Sequence, residues 1–261
     1  MLSPATRDAL ARHLDDGLRA RREVDRLTLL HPDLDADDAY AIQAIGLALR
    51  QARGEQVIAY KMGLTSAAKR LQMNLASPIY GVLTDRMQVQ DGGTFVVAEG
   101  IHPRIEPEIA FRLARPLQGT VTMAEALAAC DGVTTALEIL DSRFLGFKYF
   151  SLPDVIADNA SSSHFVLSGT WLAPEAVDFA DVPMSMRVDG VEVQAARSSA
   201  ISGHPAASLV QLCALLAERG QGVPAGAVVL AGAAAPAVAL VAGQTVTLVV
   251  EGMPGVSLRA V

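Results

Sequence analysis

Hydrophobic positions fall into two regimes along the chain. The first regime is helical. Ser3 followed by Pro4 supplies an N-cap and a first helical position, which predicts a helix to about Arg22. Asp35 opens a second helix, with Asp37 and Asp38 in its first turn, where the helix dipole favours negative charge, and Gly54 ends it. These helices define an expected N-terminal helical segment over residues 1–55.

From residue 56 the pattern changes to short apolar runs, which predicts a second domain over residues 56–261. Strands are expected at Val57–Leu64, Thr94–Val97, Ile105–Leu113 and Val133–Leu140, with short helices at Ser66–Met73 and Met123–Cys130. Asp189-Gly190 is a two-residue hairpin signal between Met184–Val188 and Val191–Ala195. His204-Pro205 opens a helix to about Arg219 that stops at Gly220, and Thr245–Glu251 with Val256–Val261 forms a closing strand pair. Strands outnumber the helices between them, so a repeating βαβ fold is excluded and an α+β fold with a mixed, strongly curved sheet is expected.

Composition changes this picture little. Of the 261 residues 51% are hydrophobic, enough for a sizeable core. The net charge of −7 argues against nucleic-acid and membrane-surface partners, which need clustered Lys and Arg. Asp8, Asp15 and Asp16 interrupt any secretory apolar core, so a soluble, cytoplasmic protein is expected. Ala225–Gly243 is uncharged, but its Ala and Gly content and Pro236 fit a buried strand, a tight turn and a further strand better than a membrane span. Cys130 and Cys213 both lie in Ala/Leu-rich stretches that read as helices, which predicts two buried, reduced thiols.

The candidate chemistry lies in carboxylates. On a strand over Ile105–Leu113, alternation places Glu106 and Glu108 on one face, roughly 6–7 Å apart, opposite Ile105, Pro107, Ile109 and Phe111. Pro107 lacks a ladder donor, which predicts an edge or irregular position. Glu138 interrupts a run that otherwise reads as buried, and a lone buried carboxylate needs a partner. Three glutamates are a hard, oxygen-only donor set suited to Mg²⁺ or Mn²⁺ rather than zinc or copper. Against this stands a plain alternative, with Glu106 and Glu108 on a solvated edge and Glu138 paired with Arg143 or another base. Lys61, in an apolar strand, either reaches the surface or meets an anionic substrate. Arg104 neutralises the acidic site or binds substrate, and the pattern does not choose. His102 and His204, each before a proline, read as structural or capping residues, Trp171 as a packing residue, and Asp158–Ser163 as a polar loop.

Taken in order, several segments resemble a known family. They are Lys61-Met-Gly-Leu-Thr-Ser66, Pro78-Ile-Tyr-Gly81, His102-Pro-Arg-Ile-Glu-Pro-Glu108, Leu137-Glu-Ile-Leu-Asp-Ser-Arg143, Ile156-Ala-Asp-Asn-Ala-Ser-Ser162 and Gly203-His-Pro205, followed by Leu215–Gly220 and Pro224–Gly226. The set is similar to the 2-keto-4-pentenoate hydratase and 4-oxalocrotonate decarboxylase group of the fumarylacetoacetate-hydrolase-like superfamily. The resemblance implies a curved β-roll, a divalent metal (Mg²⁺, or Mn²⁺) held by Glu106, Glu108 and Glu138, and Lys61 as the active-site lysine. It implies that the Asp158–Ser161 loop borders a 2-oxo acid substrate, making Asn159 and Ser161 substrate-binding candidates beside Ile79 and Arg104. It also implies homo-oligomers and association with a partner hydratase.

Within that group, hydratases carry Pro-Asp-Phe-Gly where this chain has Pro78-Ile79-Tyr80-Gly81. Ile79 cannot move a proton. With Phe147-Lys148-Tyr149, the departure points to the decarboxylase branch. The expected reaction is decarboxylation of 2-oxo-3-hexenedioate (4-oxalocrotonate) to 2-hydroxypenta-2,4-dienoate and CO₂, in meta-cleavage degradation of aromatic compounds. Hydration of the dienoate is the alternative. A C–C hydrolase would need a His-Glu pair for water, which the sequence does not offer. The intact glutamate set argues against a non-catalytic subunit.

Overall fold

The computed structural model describes residues 1–65, 78–147 and 151–261. The expected helix at Ser66–Met73, and Lys148 and Tyr149, lie outside the described residues. Helix α1 spans Pro4–Arg19 and is capped by Ser3, whose Oγ accepts from the Thr6 amide at 3.1 Å. A short α2 (Leu27–Leu30) precedes α3 (Ala36–Ala52), which Asp35 caps through the Asp38 amide. Further along lie α4 (Met123–Ala128), α5 (Leu152–Ala157) and α6 (Ala207–Ala217). The Thr122–Glu125 capping box starts α4. That helix ends before Cys130, so Cys130 begins a strand and is half-buried, whereas Cys213 is buried in α6; both are free thiols.

In chain order the strands are β1 (Val57–Gly63), β2 (Ile79–Thr84), β3 (Gln88–Val89), β4 (Thr94–Phe95), β5 (Arg104–Leu113), β6 (Leu117–Gln118), β7 (Cys130–Leu140) and β8 (Ser162–Leu167). They continue with β9 (Pro183–Val188), β10 (Val191–Arg197), β11 (Gly222–Val223), β12 (Val228–Leu230), β13 (Val238–Ala239), β14 (Thr245–Val250) and β15 (Val256–Ala260). Among the described residues an eight-stranded sheet runs β2-β1-β12-β5-β7-β8-β3, with β13 also on β5, and a five-stranded sheet runs β10-β9-β14-β15-β4. Both are mixed: β1/β12, β3/β8 and β4/β15 are parallel, and the other pairs are antiparallel. Register breaks in the β1/β2, β5/β7, β7/β8 and β9/β10 ladders mark bulges, which bend the strands they interrupt. The Asp189-Gly190 hairpin forms as expected, with both residues at positive φ.

The two faces of the large sheet differ. Ile105, Ile109, Phe111 and Leu113 of β5 and Leu137 and Ile139 of β7 join the main core. The opposite face holds a smaller cluster of Ala59, Leu83, Ala110, Ala136 and Phe165. Glu106 and Glu108 precede Ala110 on that second face, and Glu138 follows Ala136 and lies opposite Phe165 of β8. Of the expected edge or irregular position, Pro107 takes the irregular one, because β5 lies inside the sheet. On one side it pairs with β7 throughout; on the other, β12 covers 110–112 and β13 covers 104–105. Between them the loop after β12 crosses, with the Ala234 amide donating to Pro107 O at 3.0 Å. A strand residue's N and O point the same way, so the missing Pro107 N–H falls in this gap.

Candidate metal centre

Glu106 on β5 lies directly opposite Glu138 on β7, and Glu108 opposite Ala136. Like charges facing each other across a ladder repel. Here they are also out of water: Glu108 and Glu138 are fully buried, and Glu106 is 9% exposed. One carboxylate oxygen from each of the three lies within 4.8 Å of the others. Glu108 Oε2 accepts from the Gly232 amide at 2.7 Å, while Glu108 Oε1 and Glu138 Oε2 accept no hydrogen bond among the described residues. Gly232 makes this approach at φ 107°, and a Cβ there would fall 2.5 Å from Thr65 Cγ2. Burial, then the Glu138 and Glu106 charges, hold the Glu108 carboxyl well above the usual range.

Lys61 on β1 sets an ammonium against this group. It is buried and does not reach the surface; its Nζ lies 3.2 Å from Glu138 Oε1. Burial works against its charge, but Glu138, Glu106 and Glu108 outweigh burial and raise its pKa. The pairing of Glu138 with Arg143 is thereby replaced, since Arg143 binds Asp158 instead. Like charges still meet across the Glu106–Glu138 pair. The fit to a hard divalent cation is good: three oxygen donors converge, and Glu108 Oε1 and Glu138 Oε2 meet no donor among the described residues.

Lys61 and Glu106 open onto a cavity of about 380 Å³. Ile79, Ser161 and Arg104 line it, as do Phe147 and the run Ala233–Ala237. Ile79 lies on β2 opposite Gly63 and is buried. Arg104 is exposed and stacks over the Phe147 ring at 4.8 Å. Asn159 is the exception among the expected substrate-binding residues. It does not line this cavity, and its amide is engaged by β2, accepting from Val82 N at 2.9 Å and donating to Val82 O at 2.8 Å.

His102 pairs with Glu23 at 2.6 Å. His204 Nδ1 accepts from the Ala206 amide at 3.1 Å, just before α6, a structural contact. Trp171 packs under Arg112 at 4.8 Å and over Gly132. Sequence reasoning missed the Ala233–Ala237 wall and the Gly232 amide. The uncharged stretch from Ala225 was their one visible signal.

The family model described as "Fumarylacetoacetate (FAA) hydrolase C-terminal" matches residues 45–259. The chain belongs to this family. It is 46% identical over 232 residues to a 4-oxalocrotonate decarboxylase of Pseudomonas sp, covering 87% of this chain and 90% of the relative. It is 39% identical to a 2-hydroxyhexa-2,4-dienoate hydratase of Comamonas testosteroni, covering 94% of each. Among solved structures, the 4-oxalocrotonate decarboxylase from Pseudomonas putida G7, complexed with magnesium and adipate, matches with a TM-score of 0.97 and 35% identity. That match covers 100% of this chain and 99% of the other.

Proposed function

We propose that this chain is a divalent-metal-dependent lyase that decarboxylates 2-oxo-3-hexenedioate to 2-hydroxypenta-2,4-dienoate and CO₂. The observation that carries this reading is the buried Glu106–Glu138 pair, with Glu108 and Lys61 beside it and the Ile79-lined cavity in front. The Pseudomonas putida relative holds magnesium and adipate, a saturated diacid with the six-carbon length of the proposed substrate.

Glu106, Glu108 and Glu138 would hold the metal. When bound, it supplies Lewis acidity for an α-keto carboxylate, whose C1 carboxylate and C2 ketone are hard oxygen ligands. Breaking the C5–C6 bond leaves its electron pair on C5. That pair forms the C4–C5 double bond, the C3–C4 bond shifts to C2–C3, and charge collects on the C2 oxygen. One proton then completes the enol. The Lys61 ammonium sits where negative charge grows and offsets it, and it is the candidate proton donor. Ile79 gives the cavity an apolar wall. A carboxylate held against it lacks stabilising water and is favoured to leave as neutral CO₂. An acid at this position would instead move protons, which the hydration of the dienoate requires. Arg104, exposed at the cavity, draws in the dianion.

The test is to supply Mg²⁺ with the hexenedioate or the dienoate and follow CO₂ together with ultraviolet absorbance. CO₂ release from the hexenedioate is expected. Consumption of the dienoate without CO₂ would make the chain a hydratase. Homo-oligomerisation and association with a hydratase of the family belong to the same reading. The exposed Val191 and Val193 on strand β10, at the edge of its sheet, offer a contact surface that sedimentation of the protein alone and with a hydratase would test. No helix among the described residues is long and apolar enough to cross a membrane.

A further inference from the structure

One wall of the cavity is made by backbone in a conformation that side chains disfavour. Asn159, Ala160 and Ser161 have φ of 53°, 53° and 56°, three successive non-glycine residues in the left-handed region. Such a run persists only where its surroundings over-determine it. Two side chains do so here, buried Arg143 and half-buried Asn159. The guanidinium of Arg143 binds the Asp158 carboxylate and the Asp158 carbonyl, and reaches Ser162 O at 3.5 Å. It therefore holds the residues on both sides of the triplet. From the other side, the Asn159 amide bridges to both the N–H and the carbonyl of Val82, as an added strand would. Asp158 Oδ2 accepts from Ser161 Oγ at 3.3 Å, and the Asp141 amide donates to Ser161 O at 2.8 Å. Ala160 and Ser161 reach the cavity; Arg143, Asp158 and Asn159 do not line it.

We infer that Arg143, Asp158 and Asn159 form a brace of positioning residues that fixes the left-handed triplet, so that Ala160 and Ser161 are presented to substrate opposite Lys61. None of the three touches the substrate. They act through Ser161 and through β2, whose Gly81 lies against the Asn159 carbonyl and the Lys61 side chain. The inference rests on the cavity being the active site. It assigns Asn159 a structural bridge where the family resemblance suggested substrate contact.

The test uses the Mg²⁺-loaded protein. Arg143→Met alone leaves Asp158 buried without its partner and threatens folding. The informative variants are therefore the double Arg143→Met/Asp158→Asn, which removes both charges, and Asn159→Ala. For each, kcat and KM with the hexenedioate, the Mg²⁺ affinity, and amide hydrogen exchange over residues 158–163 are measured. A displacement of the order of 1 Å at a reacting group costs about a hundredfold in rate. A fall of that order in kcat/KM is expected, with Mg²⁺ affinity unchanged and faster exchange confined to 158–163. Wild-type kcat and KM in the double variant would overturn the brace. So would loss of Mg²⁺ affinity in step with activity, since that is general structural damage. If the wild-type protein does not decarboxylate the hexenedioate, the functional reading fails by itself. The brace is then judged by exchange and Mg²⁺ affinity: unaltered exchange at 158–163 overturns it.

Discussion

Glu138 and Lys61 face each other at 3.2 Å, yet their removal has opposite consequences. Glu138→Gln takes one charge from a pair of like charges and one ligand from the proposed metal site. The variant is expected to stay folded, lose Mg²⁺ binding by calorimetry and lose turnover; full turnover after EDTA treatment would refute the metal assignment. Lys61→Met removes the ammonium that pairs with Glu138 and lies in the field of Glu106 and Glu108. Breaking a buried pair from one side costs about 3 kcal/mol, so the metal-free variant is expected to unfold at lower urea. It should still bind Mg²⁺, which restores more stability than in the wild type, while activity is lost. Equal Mg²⁺ stabilisation in both proteins would show that Lys61 does not balance the acids. At this scale the sequence was half legible. Strand alternation alone puts Glu106 and Glu108 on one face. No local pattern reveals that β7 sets Glu138 opposite Glu106, because register between distant strands is a property of the fold. The pattern offered the three as one donor set beside the plain alternative, and the family resemblance favoured the set. Local pattern likewise could not separate Lys61 from Arg143 as the partner of Glu138, nor show that Asn159 turns to Val82.

Elements were legible where their signals are local. The caps of α1 and α3, the Asp189-Gly190 turn and the long strands β5 and β7 all announced themselves. Strand β2 did not, because all six of its residues are buried and show no alternation. Strand β8 begins with Ser162, Ser163 and His164, polar residues that read as loop. The close packing of β2 makes Gly81→Ala informative. A Cβ there would fall 2.6 Å from Ser162 Oγ and 2.7 Å from Asn159 O. The backbone oxygen cannot swing away, so a cost of about 1–3 kcal/mol is expected, with a lower kcat and unchanged Mg²⁺ affinity. Wild-type kcat would mean that β2 and the loop move apart freely. The joint of α1 and α3 depends on Asp38, whose buried carboxylate accepts from the Leu2 amide and from Arg7. Burial raises its pKa, but these donors outweigh burial and the net direction is down. A depressed carboxyl stabilises the fold above its usual value, near 3.8, and that contribution is lost as pH falls through the folded value. Asp38→Asn should therefore cost about 2 kcal/mol at neutral pH, as measured by urea unfolding, and progressively less below about pH 4. A penalty independent of pH would show that the charge of Asp38 contributes nothing.

At the scale of the molecule, a helical segment over 1–55 and a separate domain over 56–261 describe the order of elements along the chain. Physical contacts cross that boundary repeatedly. Leu10, Leu14, Leu27, Tyr40 and Ile42 belong to the same apolar core as Ile109, Phe111 and Leu137. Buried Gln43 of α3 donates to Tyr80 O on β2 at 3.0 Å and to Ile156 O on α5 at 3.3 Å, the two elements that carry Ile79 and lead to Ser161. Thr28 binds buried Asp154 of α5 through both its amide and its hydroxyl, and Glu23 takes the His102 ring and the Gly146 amide. A helical segment joined by a shared core and buried hydrogen bonds has no surface along which to separate at low cost, and its loss would expose the back of the cavity wall. The chain is therefore proposed to unfold as one unit. Calorimetry should give a single transition whose van't Hoff and calorimetric enthalpies agree. Mg²⁺ at a hundred times its Kd should raise the stability of that whole transition by about 2.7 kcal/mol. Two transitions, with only the upper one responding to Mg²⁺, would restore the helices as an independent domain and detach Gln43 from the support of the site.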